Sequence, residues 1–353
     1  MSTPSTPRRI LITRLSAIGD CLLTIPVAVE AKKLWPRCEI TWVVDCAAEQ
    51  FLRDHPAVDE VIRIEKSWLK KPNAWRSAWQ QLRTREFDVV LDPQGLTKSS
   101  MLGWMSGARW RVGFDRSHGR ELGPLLANRR VRRTNRHMVD TYRQVLSPWA
   151  TIEPGQGQFA MPRYPSASQV ESELKERDLT PGRWIALNPG AGWTTRIWPT
   201  QRFGIVAREA FERLGVRSVV FWAGEEERLM AEVIAETSGG AAMPAPATSL
   251  TDMLEWLRRA RMLVTADTGP LHMASAVGTP CISLHGVTWS DESGPYGNLN
   301  IAIQSPITPA VGKLIRKGPN TAMQAIETSE VVEACLRLNE HIQSAEQPFR
   351  VSA

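Results

Sequence analysis

Short, almost unbroken apolar runs recur along this chain, each closed by a turn containing Gly, Asp, Thr or Pro and followed by a helical stretch. The first is Arg9–Thr13, which leads through a turn at 16–20 into an apolar segment from Cys21 to Leu34. Strands that lack polar alternation are buried on both faces, and strands that alternate with helices build parallel sheets. The same pattern predicts strands at Glu39–Val44, Glu60–Ile64 and Asp88–Leu91, with helices at Ala47–Arg53 and Ala74–Thr84. Between 150 and 182 it dissolves into Pro154, Gly155, Gly157, Pro162, Pro165, Pro181 and Gly182, around one helical stretch at Ala167–Arg177. Such a stretch reads as a linker. A second series follows, with strands at Trp184–Leu187, Arg217–Ala223, Met262–Thr265 and Cys281–His285, and helices at Gln201–Leu214, Glu225–Thr237, Leu250–Ala260 and Pro270–Val277. Ser329–Ser344 reads as a last helix. The expected fold class is therefore α/β, in two Rossmann-like halves, and 353 residues suit two domains.

Composition narrows the class further. With 42% hydrophobic and 23% charged residues, the chain is ordinary globular protein, neither disordered nor fibrous. The early apolar segment is broken by Arg14, Asp20 and Glu30, which excludes a membrane span there and argues against a secretory leader. A cytoplasmic location is the expectation. The five cysteines are scattered and contain no C-x-x-C, so reduced thiols are expected rather than a disulfide framework or a zinc site. Charge is uneven: residues 1–165 hold 26 Lys and Arg against 16 Asp and Glu, whereas 166–353 hold 17 against 21. A basic first half predicts an anionic partner: nucleic acid, phosphorylated molecule or acidic membrane surface.

Open α/β sheets bind ligands beyond the carboxyl ends of their strands, so the loops there carry the functional reading. Ser16-Ala17-Ile18-Gly19-Asp20 presents a carboxylate at a helix start, where Asp20 is either a cap or a general base. Asn188–Pro199 combines glycines, the hydroxyls of Thr194 and Thr195 and the guanidinium of Arg196, a set suited to an anion. It has neither the third glycine of a dinucleotide fingerprint nor the ending of a P-loop. In Thr265–His272, Thr268 and Gly269 open a helix whose positive end suits a diphosphate. Asp267 and His272 are structural or functional on this reading. Glu225, at another helix start, either suits the dipole or accepts ribose hydroxyls. The tracts 66–71 and 129–136 are basic enough to bind phosphates.

Taken together these motifs resemble glycosyltransferase family 9, the ADP-heptose:lipopolysaccharide heptosyltransferases, most closely the heptosyltransferase I type. The resemblance spans nearly the whole chain. It is carried by Ile10–Asp20 with Pro26 downstream, by Asp92-Pro93-Gln94-Gly95-Leu96-Thr97-Lys98-Ser99, by Thr194-Thr195-Arg196-Ile197-Trp198-Pro199, and by Asp267–His272 followed by Gly286-Val287-Thr288. It implies a GT-B architecture of two Rossmann-like domains facing across a cleft. The first, 1–165, would bind acceptor, and the second, 166–328, nucleotide-sugar, while 329–353 would form a C-terminal helix and tail packing back on the first.

The resemblance further implies an inverting transfer of heptose from ADP-heptose to the lipopolysaccharide inner core, a Kdo–lipid A type acceptor, with no metal and no other cofactor. The absence of any Asp-x-Asp agrees with that. Asp20 would be the base. Thr194, Thr195, Arg196, Thr268 and Gly269 would bind the diphosphate, Asp267 the sugar hydroxyls and Glu225 the ribose, with His272 supporting the loop. Lys66, Lys70, Lys71, Lys98 and Arg120 become the candidates for an anionic, lipid-linked acceptor. The implied enzyme is a monomer, peripheral at the inner face of the cytoplasmic membrane. Arg196 stands where the family often has lysine, which keeps the charge and changes its geometry; Pro93 stands where alanine is usual. The competing readings are a GT-B enzyme using another nucleotide-sugar, an epimerase, and a basic nucleic-acid-binding protein, although no nucleic-acid reading module is present.

Overall fold

The computed structural model describes residues 6–308, 316 and 318–346, and divides into two compact units, Met1–Pro162 and Arg163–Ala353. The division falls inside the Pro- and Gly-rich segment, three residues before the 165/166 boundary expected from sequence.

The first unit holds a six-stranded sheet of β1 (Arg9–Thr13), β2 (Glu39–Val44), β3 (Glu60–Arg63), β4 (Val89–Asp92), β5 (Trp110–Phe114) and β6 (Arg129–Val131). Its order is β3-β2-β1-β4-β5-β6, and every pair is parallel. The central strands are buried almost throughout, which is why they read as unbroken apolar runs. β5 and the edge strand β6 carry Arg111, Arg129 and Arg130 and gave no such signal. Helices Pro72–Arg83 and Thr97–Met105 bury Ala78, Leu82, Leu102 and Met105 with Leu11, Val43 and Val90 of the sheet. Trp75 and Trp79, whose i, i+4 spacing suggests packing, remain 38% and 40% exposed. Helix Ile18–Leu34 is buried from Cys21 to Val29 and lies against helix Met138–Arg143.

The second unit repeats the plan with β7 (Trp184–Asn188), β8 (Arg217–Val220), β9 (Ala242–Pro244), β10 (Met262–Ala266), β11 (Cys281–His285) and β12 (Asn300–Gln304). The order is β12-β11-β10-β7-β8-β9, again all parallel. In both sheets the first strand of the unit lies beside the fourth, which is the Rossmann order with its topological switch point between those two strands. The loops leaving β1 and β4, and those leaving β7 and β10, are thereby set side by side.

The last helix, Thr328–Glu346, is built into the second unit. It packs on helix Thr200–Leu214, β11 and β12, and puts Val331, Ala334, Cys335, Leu338 and Ile342 into the second unit's core. The spacing of those residues forms one apolar helical stripe, and the second sheet's face supplies its partner. Residues 347–353 of the expected tail lie outside the described residues.

Trp198 joins these layers. It is fully buried, sits edge-on to Phe203 at 5.0 Å, and donates its indole N–H to the Ile326 carbonyl at 3.1 Å. Its place in the 194–199 motif is structural. Trp198→Ala is expected to cost the second unit about 3–5 kcal/mol, read as a lowered urea midpoint by fluorescence; a cost below about 1 kcal/mol would contradict this placement.

Candidate active site

At the first switch point, β1 runs into Arg14 and Leu15 and the chain turns into helix Ile18–Leu34. Asp20 lies in the first turn of that helix, where a carboxylate suits the dipole. Its Oδ2 accepts the Ala17 N–H at 3.3 Å, the return half of a capping box, so the capping reading holds. Its Oδ1 does more. It takes the Arg14 guanidinium at 2.7 Å and the Tyr142 hydroxyl at 2.8 Å, and Arg14 also donates to the Tyr142 oxygen at 3.0 Å. The Arg14 side chain is 5% exposed and that of Asp20 is 39% exposed, so the cation is sealed while the carboxylate stays within reach of a substrate.

The surroundings lock this triangle. The Arg14 carbonyl accepts from the Trp42 indole at 3.0 Å, and its guanidinium lies 4.5 Å from the centre of the Tyr142 ring. Burial, followed by the adjacent Asp20 charge, pushes the Tyr142 phenol up, so it stays protonated. His118, in the loop after β5, meets the Tyr142 ring edgewise at 5.9 Å. Burial, then Arg14, brings its imidazole down to about 4, and it is neutral at physiological pH. Neither Tyr142 nor His118 carries a local sequence signal, because each reaches Asp20 from another element.

The loop after β4 braces the loop after β1. The Asp92 carboxylate accepts the N–H groups of Gln94 at 3.1 Å and Gly95 at 3.0 Å, together with the Ser100 hydroxyl. Gln94 in turn accepts the Leu15 N–H at 2.8 Å. Gly95, at φ +64°, adopts the left-handed turn and receives the Arg120 N–H at 2.8 Å. Lys98 stands half-buried in the first turn of helix Thr97–Met105. Burial pushes the Asp45 carboxyl, just past β2, above its usual range, and the charges of Lys98, Lys66 and Arg63 counter that only in part. Lys70 and Lys71 are exposed in the segment after Lys66, with Lys71 paired to Glu65 at 2.6 Å. Asp45 was not anticipated from sequence.

At the second switch point, the loop after β7 begins with Asn188, which donates to the Gly190 carbonyl at 3.0 Å and the Thr265 hydroxyl at 3.3 Å. Thr194–Arg196 forms a single 3₁₀ turn with Thr194 exposed and Thr195 buried. Arg196 donates to the Asp267 carbonyl at 2.8 Å, lies 3.4 Å from its carboxylate, and stacks 3.9 Å from the centre of the Trp193 ring. Asp267 also receives the Ser293 hydroxyl at 2.9 Å and has the His272 imidazole at 3.6 Å. Burial opposes its charge, but Arg196, His285 and His272 outweigh that and hold the carboxyl below its usual range. Thr268 is the N-cap of helix Gly269–Val277, and its hydroxyl lies 3.2 Å from that of Thr265.

The structure therefore brings Arg196, Asp267, Thr268 and His272 together. Glu225 is exposed at the start of its helix and paired with Arg228 at 2.5 Å. Glu227 is the acid laid against the loop after β7. Its carboxylate occupies the space a Gly190 Cβ would fill, 2.1 Å from that position, while it accepts the Ala223 N–H at 2.8 Å. A side chain at 190 would displace the Glu227 carboxylate from this position. His285, also missed from sequence, is wholly buried against Ser283 at 2.9 Å and Thr288 at 3.4 Å.

Two Rossmann-order units with charged loops at both switch points are the ingredients of the GT-B class of glycosyltransferases. The model of glycosyltransferase family 9 (heptosyltransferase) matches residues 75–319, and the chain belongs to that family. It is 30% identical over 322 residues to lipopolysaccharide heptosyltransferase 1 of Pseudomonas aeruginosa, covering 86% of each chain. To the Escherichia coli K12 protein of the same name it is 27% identical over 314 residues, covering 84% of this chain and 94% of that one. Among solved structures, E. coli heptosyltransferase WaaC with ADP superposes at a TM-score of 0.76 and 23% identity, over 94% of this chain and 99% of the other. A family 9 glycosyl transferase from Veillonella parvula superposes at 0.83 and 23% identity, over 95% and 98%.

The buried imidazoles give the fold a testable pH dependence. Burial brings His285 down to about 4, as it does His118. The unfolded chain, with histidines near 6.5, then takes up protons first, so this stability is complete above about 6.5 and is lost as pH falls toward 4. His285→Gln should remove up to about 2 kcal/mol of the fall in unfolding free energy between pH 7 and 5. Urea titrations at both pH values check this; an unchanged fall would show that His285 does not change protonation on unfolding.

Proposed function

We propose that this enzyme transfers heptose from ADP-heptose to the lipopolysaccharide inner core, a Kdo–lipid A type acceptor, by inversion and without a metal. The observation that carries the reading is the reachable Asp20 carboxylate held by buried Arg14 at the first switch point. Its counterpart at the second is the Arg196–Asp267 pair beside a helix N-terminus. Family membership and the lipopolysaccharide heptosyltransferase relatives support the donor and acceptor.

The first unit takes the acceptor and supplies the base; the second takes the donor. Asp20 accepts the proton of the acceptor hydroxyl, whose oxygen attacks the anomeric carbon from the face opposite ADP. Arg196 and the N–H groups opening helix Gly269–Val277 stabilise the departing diphosphate. Thr194, Thr195 and Thr268 add hydroxyl donors, while Asp267, kept ionised, both fixes Arg196 and accepts sugar hydroxyls. Glu227 rather than Glu225 is the acid placed to meet the nucleotide ribose, since Glu225 is taken up by Arg228.

Lys66, Lys70, Lys71, Lys98 and Arg120 meet the anionic groups of the acceptor, with Asp45, which feels the charges of Lys98 and Lys66, among the hydroxyl acceptors. No helix among the described residues is long and apolar enough to cross a membrane. The basic first half, with exposed Trp75, Trp79 and Trp104, suits peripheral association with an anionic bilayer at the cytoplasmic face.

Asp20→Asn should lower transfer by about 10²–10⁴-fold and leave ADP binding within about twofold of wild type. Arg196→Ala should instead weaken ADP binding about tenfold or more. ADP release with a heptose-deficient acceptor and calorimetric ADP titration measure the two. Equal loss of binding and turnover in Asp20→Asn would make that carboxylate structural.

A further inference from the structure

We infer that Tyr142 is a positioning residue for acceptor deprotonation, fixing the Asp20 carboxylate in the attitude that receives the proton. The inference rests on Asp20 being the base, as proposed above. Tyr142 lies 122 residues away in sequence, yet its hydroxyl donates to Asp20 Oδ1 at 2.8 Å. The same oxygen is met by Arg14 at 2.7 Å, and Arg14 closes the triangle on the Tyr142 oxygen at 3.0 Å. Three side chains thus restrain one another, and rotating Asp20 away would strip both Arg14 and Tyr142 of a buried partner.

The tyrosine is itself anchored. Its neighbour Arg143 is buried and bonds Glu30 of the Asp20 helix at 2.7 Å and Asp140 at 2.6 Å. Helix Met138–Arg143 is therefore clamped to helix Ile18–Leu34, and Tyr142 approaches Asp20 from a fixed direction. The ring also lies against the Arg14 guanidinium, so the phenylalanine analogue keeps that packing and deletes only the hydroxyl.

The step affected is the first half of transfer. The acceptor O–H bond breaks and its proton passes to Asp20. The oxygen's electron pair forms the bond to the anomeric carbon, and the bond from that carbon to the diphosphate breaks with its pair leaving on ADP. A carboxylate that accepts hydrogen bonds is favoured in its charged form, so the hydroxyl of Tyr142 extends the working range of Asp20 to lower pH. Ionisable groups that face Asp20 include Arg14 and Cys21 from its own segment and His118 from the loop after β5; Arg120 and Arg133 act on His118. His118 stays neutral through the working range, whereas Tyr142 and Arg14 both meet the carboxylate oxygen directly.

The test is the pH profile of kcat/KM for acceptor, by ADP release from ADP-heptose with Kdo–lipid A, in the full chain. Tyr142→Phe should move the acid limb up by about one pH unit. Its kcat should fall several-fold only on the acid limb itself and approach wild type at neutral and alkaline pH, with donor KM unchanged. Replacing the three tyrosines by 3-fluorotyrosine, whose phenol is a stronger donor, should move the limb down, and decides the matter if Tyr142→Phe does not fold. A limb that stays put in the fluorinated enzyme, or a Tyr142→Phe loss of the same factor at every pH, overturns the inference. Asp20→Asn separates the two readings: near-wild-type turnover removes the base assignment itself, whereas an inactive Asp20→Asn with an unmoved limb removes only the role of Tyr142.

Discussion

Parallel pairing constrains everything else in this chain. Parallel strands cannot be joined by tight hairpins, so each connection crosses a sheet face as a helix or long loop, and all strands of a sheet end at the same edge. In β3-β2-β1-β4-β5-β6 the chain leaves β1 to one side and returns to β4 on the other. The loops after these strands must diverge, and what they leave between them is lined by whatever residues follow the strands. Here those are Arg14–Asp20 and Pro93–Lys98, stitched together by Gln94 on Leu15. The second sheet repeats the order, and Arg196 meets Asp267 for the same topological reason.

Each unit then sets an arginine against an aspartate, with different electrostatic consequences. Buried ion pairs gain little stability once both partners are desolvated, whereas stripping one partner leaves an expensive lone charge. In the first pair only the cation is sealed, and Asp20 faces outward enough to meet a substrate. In the second both partners are largely covered, and Asp267 is held by Arg196, Ser293 and the nearby histidines. The first arrangement leaves a carboxylate open to solvent, as the proposed proton transfer requires. The second fixes a cation's direction while stacking it on Trp193.

What the sequence reveals follows from these constraints. β1, β2 and β11 agree with their expected ranges because fully buried parallel strands must be apolar throughout. β6, β9 and β12 escaped because they are short, polar or at an edge, where neither face demands a pure apolar run, and the interior β5 escaped because Arg111 and Gly113 interrupt its apolar run. The site divides the same way. Asp20, Arg196, Asp267, Thr268 and His272 lie in loops directly after strands or in the first turn beyond them, so position alone drew attention to them. Tyr142, His118, Glu227 and His285 act through tertiary approach, and no local spacing encodes it. Between Glu225 and Glu227 the sequence offers two identical carboxylates; only the closeness of Gly190 to one of them separates the pair.

The helix carrying Asp20 shows how little freedom remains once these contacts are combined. Its start is capped by the Asp20 carboxylate, its middle is buried from Cys21 to Val29, and Glu30 near its end is tied to Arg143. Arg143 immediately follows Tyr142, so one peptide unit links the clamp on the helix's far end to the hydroxyl on its near end. A shift of the helix along its axis would break Glu30–Arg143 and Asp20–Tyr142 together. A rotation would carry Asp20 away from Arg14, whose own carbonyl is pinned by Trp42. Orientation that would otherwise cost entropy at each turnover is therefore built in at folding, and in the proposed reaction substrate binding has only to bring the acceptor hydroxyl to a carboxylate already fixed.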